Sequence, residues 1–226
     1  MRVHVAFTPA EEASAPVGIV VDVIRATSSI AQALAAGYER VLCCREIDEA
    51  RALRSELGDE AVVGGERNAV LIDGFDVGAS PREFAQGARA RTLVLTTTNG
   101  TAAILKAAAK CETVLLGSLL NLGAVASTVN DDVAIFCAGF QGAFAFDDAY
   151  CAGRIVAALG NGSRTDAAVA AELLARAFPD PQAGLNARTY GPPGLEADIE
   201  FCARVDALDV VPRFSRMVGT AAEVVA

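Results

Sequence analysis

Between Val21 and Ile30 the sequence Val-Asp-Val-Ile-Arg-Ala-Thr-Ser-Ser-Ile gathers a carboxylate (Asp22), a guanidinium (Arg25) and three hydroxyls (Thr27, Ser28, Ser29). The run before it, starting at Val17, is apolar, β-branched and of strand length, and the residues after it open a helical pattern with hydroxyls at its start. A strand ending at Asp22 and a helix beginning near Thr27 would set these groups at the positive end of a helix. Backbone N–H groups and the dipole there attract phosphate or carboxylate, and Asp22 offers oxygens to a cation beside it. The same residues also suit an ordinary junction in which Thr27 or Ser28 caps the helix and Asp22 satisfies a turn.

Four more clusters carry compatible chemistry. Gly64-Gly-Glu-Arg67 follows a strand-like run and pairs Glu66 with Arg67, either in a site or as a surface ion pair. Gly74 to Phe84 is punctuated by glycine and ends in Ser80-Pro-Arg-Glu83, a cap, a proline at the first helical position and an acid three after the cap. Ser80 and nearby amides can receive an anion there, or simply cap. Thr96-Thr-Thr-Asn-Gly-Thr101 is a polar strand end in an apolar region, although Asn-Gly is also a common turn pair. Cys137 to Asp148 runs from a strand through glycines to Asp147 and Asp148 at a helix start, where acids also complement the dipole.

Several signatures are excluded. His4 is the only histidine, so a paired phosphohistidine arrangement or a multi-histidine zinc centre is ruled out. No cysteine has an arginine six positions on, no Asp-x-Asp occurs, and neither Lys106 nor Lys110 follows a Walker-type glycine loop. Acids, arginines and hydroxyls at strand-to-helix junctions remain. Oxygen ligands without histidine or thiolate favour Mg²⁺ over zinc.

The elements that must position these groups alternate along the chain. Strands are expected at Val3 to Phe7, Val17 to Val23, Val41 to Cys44, Ala61 to Gly64, Thr92 to Thr96, Thr113 to Leu116 and Val133 to Ala138. Helices fall between them, at about Thr27 to Ala36, Glu46 to Leu57, Thr101 to Ala109, Asn121 to Val129 and Asp147 to Leu159. From Thr165 onward the pattern reads as mostly helical, with a loop near Phe178 to Pro193. This alternation predicts an α/β fold, a layered parallel or mixed sheet flanked by helices. With 226 residues and 53% hydrophobic content the chain can form one large domain, burying roughly 70% of its unfolded surface.

An echo at a shift of 74 residues lays Thr27 over Thr101, Ile30 over Ile104 and Ala33 over Ala107. Two similar α/β halves, near 17–90 and 91–160, followed by a helical C-terminal part, would produce it. So would the shared physics of any two strand–turn–helix units.

The net charge of −9 and the two lysines leave no basic stripe for nucleic acid. No apolar stretch is long enough for a membrane span or a signal-peptide core, and the six cysteines form no CxxC pair. A soluble cytoplasmic protein with buried thiols is expected, and an alanine-rich apolar chain of this kind is suited to homo-oligomer formation.

Together, VDVIRATSSI at Val21 to Ile30, GGER at Gly64 to Arg67, GFDVGASPREF at Gly74 to Phe84 and TTTNGT at Thr96 to Thr101 resemble the 2-phosphosulfolactate phosphatase (ComB-like) family. So do CAG, FDD and CAG between Cys137 and Gly153, and DIEFC with DVVP between Asp198 and Pro212. The resemblance spans nearly the whole chain. It implies an α/β, Mg²⁺-dependent phosphomonoesterase that converts 2-phosphosulfolactate to sulfolactate and phosphate, a step toward coenzyme M in methanogens. The chain departs from the family pattern at Ala145-Phe-Asp-Asp148, where Ser-Leu-Glu-Asp is common, and at Ala79 before Ser80.

Phosphomonoester hydrolysis is among the slowest uncatalysed reactions, with enhancements up to ~10²¹. Acid–base catalysis typically supplies only about 10² to 10⁴, so charge stabilisation must carry most of the work. On this basis Asp22, Glu66, Asp147 and Asp148 are expected to hold Mg²⁺ or orient water. Arg25 and Arg67 would hold the phosphoryl or a second anionic group. Thr27, Ser28, Ser80, Asn99, Gly100 and Thr101 would donate hydrogen bonds to the small anionic phosphorylated substrate. Direct water attack and an aspartyl-phosphate formed on Asp22 both fit these residues. Two other functions fit as well: phosphoryl chemistry on another phosphorylated hydroxy acid, and non-catalytic binding of an organic phosphate or sulfonate.

Overall fold

A computed structural model of the chain describes residues 1–189 and 191–226. The first part runs β1 (Arg2–Ala6), β2 (Val17–Val21), α1 (Ala26–Ala35), β3 (Arg40–Cys44), α2 (Ile47–Leu57), β4 (Ala61–Arg67) and β5 (Val70–Leu71). The middle continues with α3 (Pro81–Phe84), β6 (Thr92–Thr96), α4 (Gly100–Ala108), β7 (Thr113–Gly117), α5 (Leu122–Thr128), β8 (Val133–Cys137) and α6 (Phe146–Ala158). The last part holds β9 (Ser163–Arg164), α7 (Asp166–Ala177), α8 (Pro181–Asn186), α9 (Glu196–Cys202), β10 (Arg213–Val218) and β11 (Ala221–Val225).

The expected α/β architecture is present as one mixed sheet in the order β5-β4-β6-β3-β11-β10-β7-β2-β8-β1-β9. It contains two parallel blocks. One is β7-β2-β8-β1-β9 and the other is β4-β6-β3. The antiparallel hairpin β10–β11 joins them, β10 pairing with β7 and β11 with β3. Val-Gly-Ile-Val-Val in β2 and Val-Ala-Ile-Phe-Cys in β8 are apolar on both faces because helices cover both faces.

Two inserted antiparallel strands make the blocks run in opposite senses, yet the C-terminal ends of β2 and β8 and those of β4 and β6 open on one pocket. The sheet therefore curls, with α1 and α4 inside the curl. The central core unites Val20, Leu116 and Phe136 of one block with Val41, Leu93 and Leu95 of the other, around Ile30 of α1 and Ile104 of α4. Each of these isoleucine side chains contributes roughly 1.5–3 kcal/mol by leaving water. The nine residues Ala26 to Leu34 are all buried, which explains why α1 is built from alanine, serine and threonine rather than an amphipathic pattern. On the outer faces, α5 to α9 cover the first block and α2 covers the second.

The structure corrects the C-terminal reading. The segment expected to be helical does contain α7, α8 and α9, but it ends in the hairpin β10–β11 at the centre of the sheet. Ala-Ala-Glu-Val-Val in β11 has no strand alternation of its own; its conformation is set by pairing with β3 and β10. Glu223 sits buried there because Arg40 and Arg216 reach it at 3.1 and 2.8 Å. The loop expected near Phe178 to Pro193 contains α8, and its position 190 lies outside the described residues. Among the described residues no helix is long and apolar enough to cross a membrane.

Candidate active site

The pocket lies at the carboxyl ends of β2, β8, β4 and β6, where open α/β sheets commonly bind ligands. The β2–α1 junction supplies Asp22, Ile24 and Arg25, and the β4–β5 turn supplies Glu66, Asn68 and Ala69. Thr97, Thr98 and Asn99 come from the β6–α4 turn, and Gly139, Asp147 and Asp148 from the β8–α6 segment. Phe140, Phe144 and Phe146 form an apolar wall, and Arg188 enters from the segment after α8. The cleft has an accessible volume of about 140 Å³.

Hydrogen bonds fix most of the acidic groups. Asp22 Oδ1 accepts from the Ala26 N–H at 3.2 Å, while its carbonyl accepts from the Thr27 N–H and hydroxyl, both at 2.9 Å. Among the described residues its Oδ2 has no hydrogen-bond donor. Asp148 is fully engaged, Oδ1 by the Val23 N–H at 2.9 Å and Oδ2 by the Gly139 N–H at 3.0 Å, so it ties the end of β2 to the end of β8. Asp147 Oδ1 accepts from the Asp148 N–H at 3.1 Å, and its Oδ2 stands 3.9 Å from Arg188 Nη1. Glu66 accepts from the N–H and hydroxyl of Thr98 on one oxygen and from the Ala69 N–H on the other, locking two turns together. Arg25 donates to Asp198 of α9 at 2.8 Å, and Ser80 donates to the other oxygen of Asp198 at 2.6 Å.

These acids crowd together out of water. Burial raises the Asp22 carboxyl to about 7, and repulsion from Glu66 and Asp147 adds to the rise, against the Ala26 N–H and Arg25. Burial also raises Asp147, with Arg188 opposing, and raises Asp148 well above the usual carboxylate range, reinforced by Asp147 and Asp22. A cluster of this kind favours either protons or a cation. The buried thiols Cys137 and Cys151 are pushed well above their ordinary value by burial, then by Asp148, and so are poor nucleophiles.

The 2-phosphosulpholactate phosphatase family model matches residues 4–216, a span that holds every residue of the pocket. The chain belongs to this family. A probable 2-phosphosulfolactate phosphatase of Thermus thermophilus is 38% identical over 98% of both chains. Proteins of the same name from Carboxydothermus hydrogenoformans and Clostridium acetobutylicum are 37% and 36% identical, over 94% and 87% of this chain and 92% and 88% of theirs.

Of the site residues expected from sequence, the family fold brings Asp22, Arg25, Glu66, Asn99, Asp147 and Asp148 to one pocket. The remaining six do not line it. Thr27 turns back to the Asp22 backbone, and the Ser28 hydroxyl donates to the Val23 carbonyl, so both shape the junction. Ser80 faces a separate hollow and holds Asp198. Arg67 donates to the Thr96 hydroxyl and the Glu66 and Arg45 carbonyls, bracing the β4 and β6 ends. Gly100 and Thr101 lie behind the wall, in the first turn of α4. Sequence reasoning missed Arg188, which follows an unpatterned stretch, and Asp198, whose role depends on α9 packing over Arg25. Thr97, within the threonine cluster of the β6–α4 turn, also lines the pocket.

Among the described residues no group of three or more Asp, Glu, His or Cys is arranged to hold a metal. The hydrogen bonds explain this, because Asp148 and Glu66 commit both oxygens to protein donors. Asp22 Oδ2 and Asp147 Oδ2 accept no hydrogen bond among the described residues. Mg²⁺ usually takes one or two carboxylates and leaves its other positions to water and phosphate, so this donor set fits that ion.

Proposed function

We propose that this chain is a Mg²⁺-dependent phosphomonoesterase that hydrolyses 2-phosphosulfolactate to sulfolactate and phosphate. The observation that carries the reading is the meeting of Asp22, Asp147, Arg25 and Arg188 in one small pocket of a chain of this family. Asp22 and Asp147 would hold the ion, which when bound supplies positive charge to the transferring phosphoryl group. Arg25, its direction fixed by Asp198, adds a guanidinium that is oriented before substrate arrives. Asp148 and Glu66 keep the surrounding turns in register, and the phenylalanine wall limits water. In the reaction the phosphorus–oxygen bond to the substrate's carbon-bound oxygen breaks and water provides the new oxygen of inorganic phosphate. The six free cysteines support a reducing, cytoplasmic setting, and the reaction would serve coenzyme M formation.

Phosphate release from 2-phosphosulfolactate, measured with Mg²⁺ and with chelator, tests this reading. Release that requires the metal and disappears in folded Asp22→Asn and Arg25→Ala proteins is expected. Binding without turnover would defeat it. One observation favours a second substrate: Ala79 and Ala145, where this chain departs from the family pattern, both line the pocket. A panel of phosphorylated hydroxy acids decides between them by kcat/KM.

A further inference from the structure

Two guanidinium groups line the pocket, and the fold treats them oppositely. Arg25 is committed, because its Nη1 donates to Asp198 at 2.8 Å. Arg188 is not. Among the described residues its guanidinium makes one hydrogen bond, a 3.5 Å contact from Nη2 to the Pro192 carbonyl. Its Nη1 stands 3.9 Å from Asp147 Oδ2, a charge contact too long for a hydrogen bond. A guanidinium carries five N–H donors in a fixed fork, so most of those on Arg188 are unused, on a side chain that keeps 17% of its surface open. The backbone beside it leaves the group room. A Cβ on Gly191 would stand 2.9 Å from Arg188 Nη1 and 3.3 Å from its Cζ, at a φ of +146° that favours glycine.

Charge points the same way. Asp22, Glu66, Asp147 and Asp148 line the pocket, and among its described lining residues the only cationic side chains are the two arginines. Of the charges acting on Asp147, Arg188 is the one that favours its ionised form. Once a bound cation neutralises Asp147, Arg188 is left without an anionic partner. Besides its phosphoryl group, 2-phosphosulfolactate carries a carboxylate and a sulfonate, each offering oxygens to a two-pronged donor.

We propose that Arg188 is a specificity-determining residue that receives the substrate's non-transferred oxyanion, its carboxylate or sulfonate. The identity of that substrate rests on the phosphomonoesterase reading, but the binding requires no turnover. Calorimetric titrations of the full chain test it, with Mg²⁺ alone and then, in saturating Mg²⁺, with sulfolactate or inorganic phosphate. In Arg188→Gln, sulfolactate should bind roughly 10- to 100-fold more weakly, while phosphate affinity is retained and Mg²⁺ affinity is equal or higher. Arg188→Lys keeps the charge but loses the fork, and should fall between. Lactate and isethionate, each lacking one of the two oxyanions, show which is held: it is on the ligand whose binding falls in the variant. Unchanged sulfolactate affinity in Arg188→Gln, no sulfolactate binding by the wild-type chain, or a loss confined to phosphate would overturn the proposal. So would weakened Mg²⁺ binding, which would make Arg188 a support for Asp147. Arg188-dependent sulfolactate binding in a chain that releases no phosphate from 2-phosphosulfolactate would leave this site standing and remove only the reaction. Hydrolysis with an unchanged KM in Arg188→Gln would do the reverse.

Discussion

Asp198 of α9 accepts from Arg25 at the start of α1 across 2.8 Å, and both side chains are almost fully buried, at 7% and 10% exposure. Breaking a buried pair by removing one charge typically costs about 3–5 kcal/mol. Asp198→Asn should therefore lower stability and let Arg25 shift, reducing kcat/KM by on the order of 10²-fold. Ser80→Ala, which removes only the second hold on Asp198, should have a smaller effect in the same direction. Steady-state kinetics with thermal melts of both variants check the ranking, and an active, stable Asp198→Asn protein would contradict it.

Mg²⁺ binding should depend on pH. The metal needs an ionised Asp22, whose carboxyl is raised by burial to about 7 in the absence of a cation. Affinity should therefore increase as pH rises toward about 7 and then level off, with protons released on binding below that point. Titration calorimetry in two buffers of different ionisation enthalpy reads the released protons directly. An affinity independent of pH would contradict the expectation.

Stability without metal should follow the opposite slope. The folded state holds protons on Asp22, Asp147 and Asp148 to higher pH than the unfolded chain, whose aspartates ionise near 3.8. The stabilisation these groups give when protonated is complete below the unfolded value and is lost as pH rises through the folded one. In chelator the melting temperature should fall between about pH 5 and pH 7, and Mg²⁺ should restore it. Asp22→Asn should flatten the profile, and a wild-type profile that rises over this window would refute the sign.

Gly153 offers a control remote from the chemistry. A Cβ there would sit 2.0 Å from the Ala171 carbonyl oxygen, where α6 packs against α7. Gly153→Ala should cost roughly 1–3 kcal/mol, a drop of several °C at about 2–4 °C per kcal/mol. Because α6 also carries Asp147 and Asp148, a calorimetric melt should be paired with a Mg²⁺ titration, which separates loosened packing from a displaced site.

What could be read from the sequence was whatever its local pattern determines. The apolar run of β2 and the hydroxyls after it announced the strand–turn–helix junction, and with it Asp22 and Arg25. Asp147 and Asp148 were legible for the same reason, as acids at a helix start. Arg188 and Asp198 were hidden because their place depends on how segments after residue 180 pack over α1 and α6, which no local spacing records. Ser80 shows the converse: its capping geometry was read correctly, since it accepts from the Arg82 N–H, but its hydroxyl also serves Asp198 and never reaches the pocket.

The hairpin β10–β11 occupies the middle of the sheet although it follows every other strand in the chain. During synthesis β3 and β7 must wait with open edges until residues 213–225 leave the ribosome. The two walls of the pocket are carried by the blocks on either side of this seam, so a chain stopped short of it would display two sticky half-sheets and no assembled site. Assembly of the pocket's two walls therefore depends on strands supplied by residues 213–225.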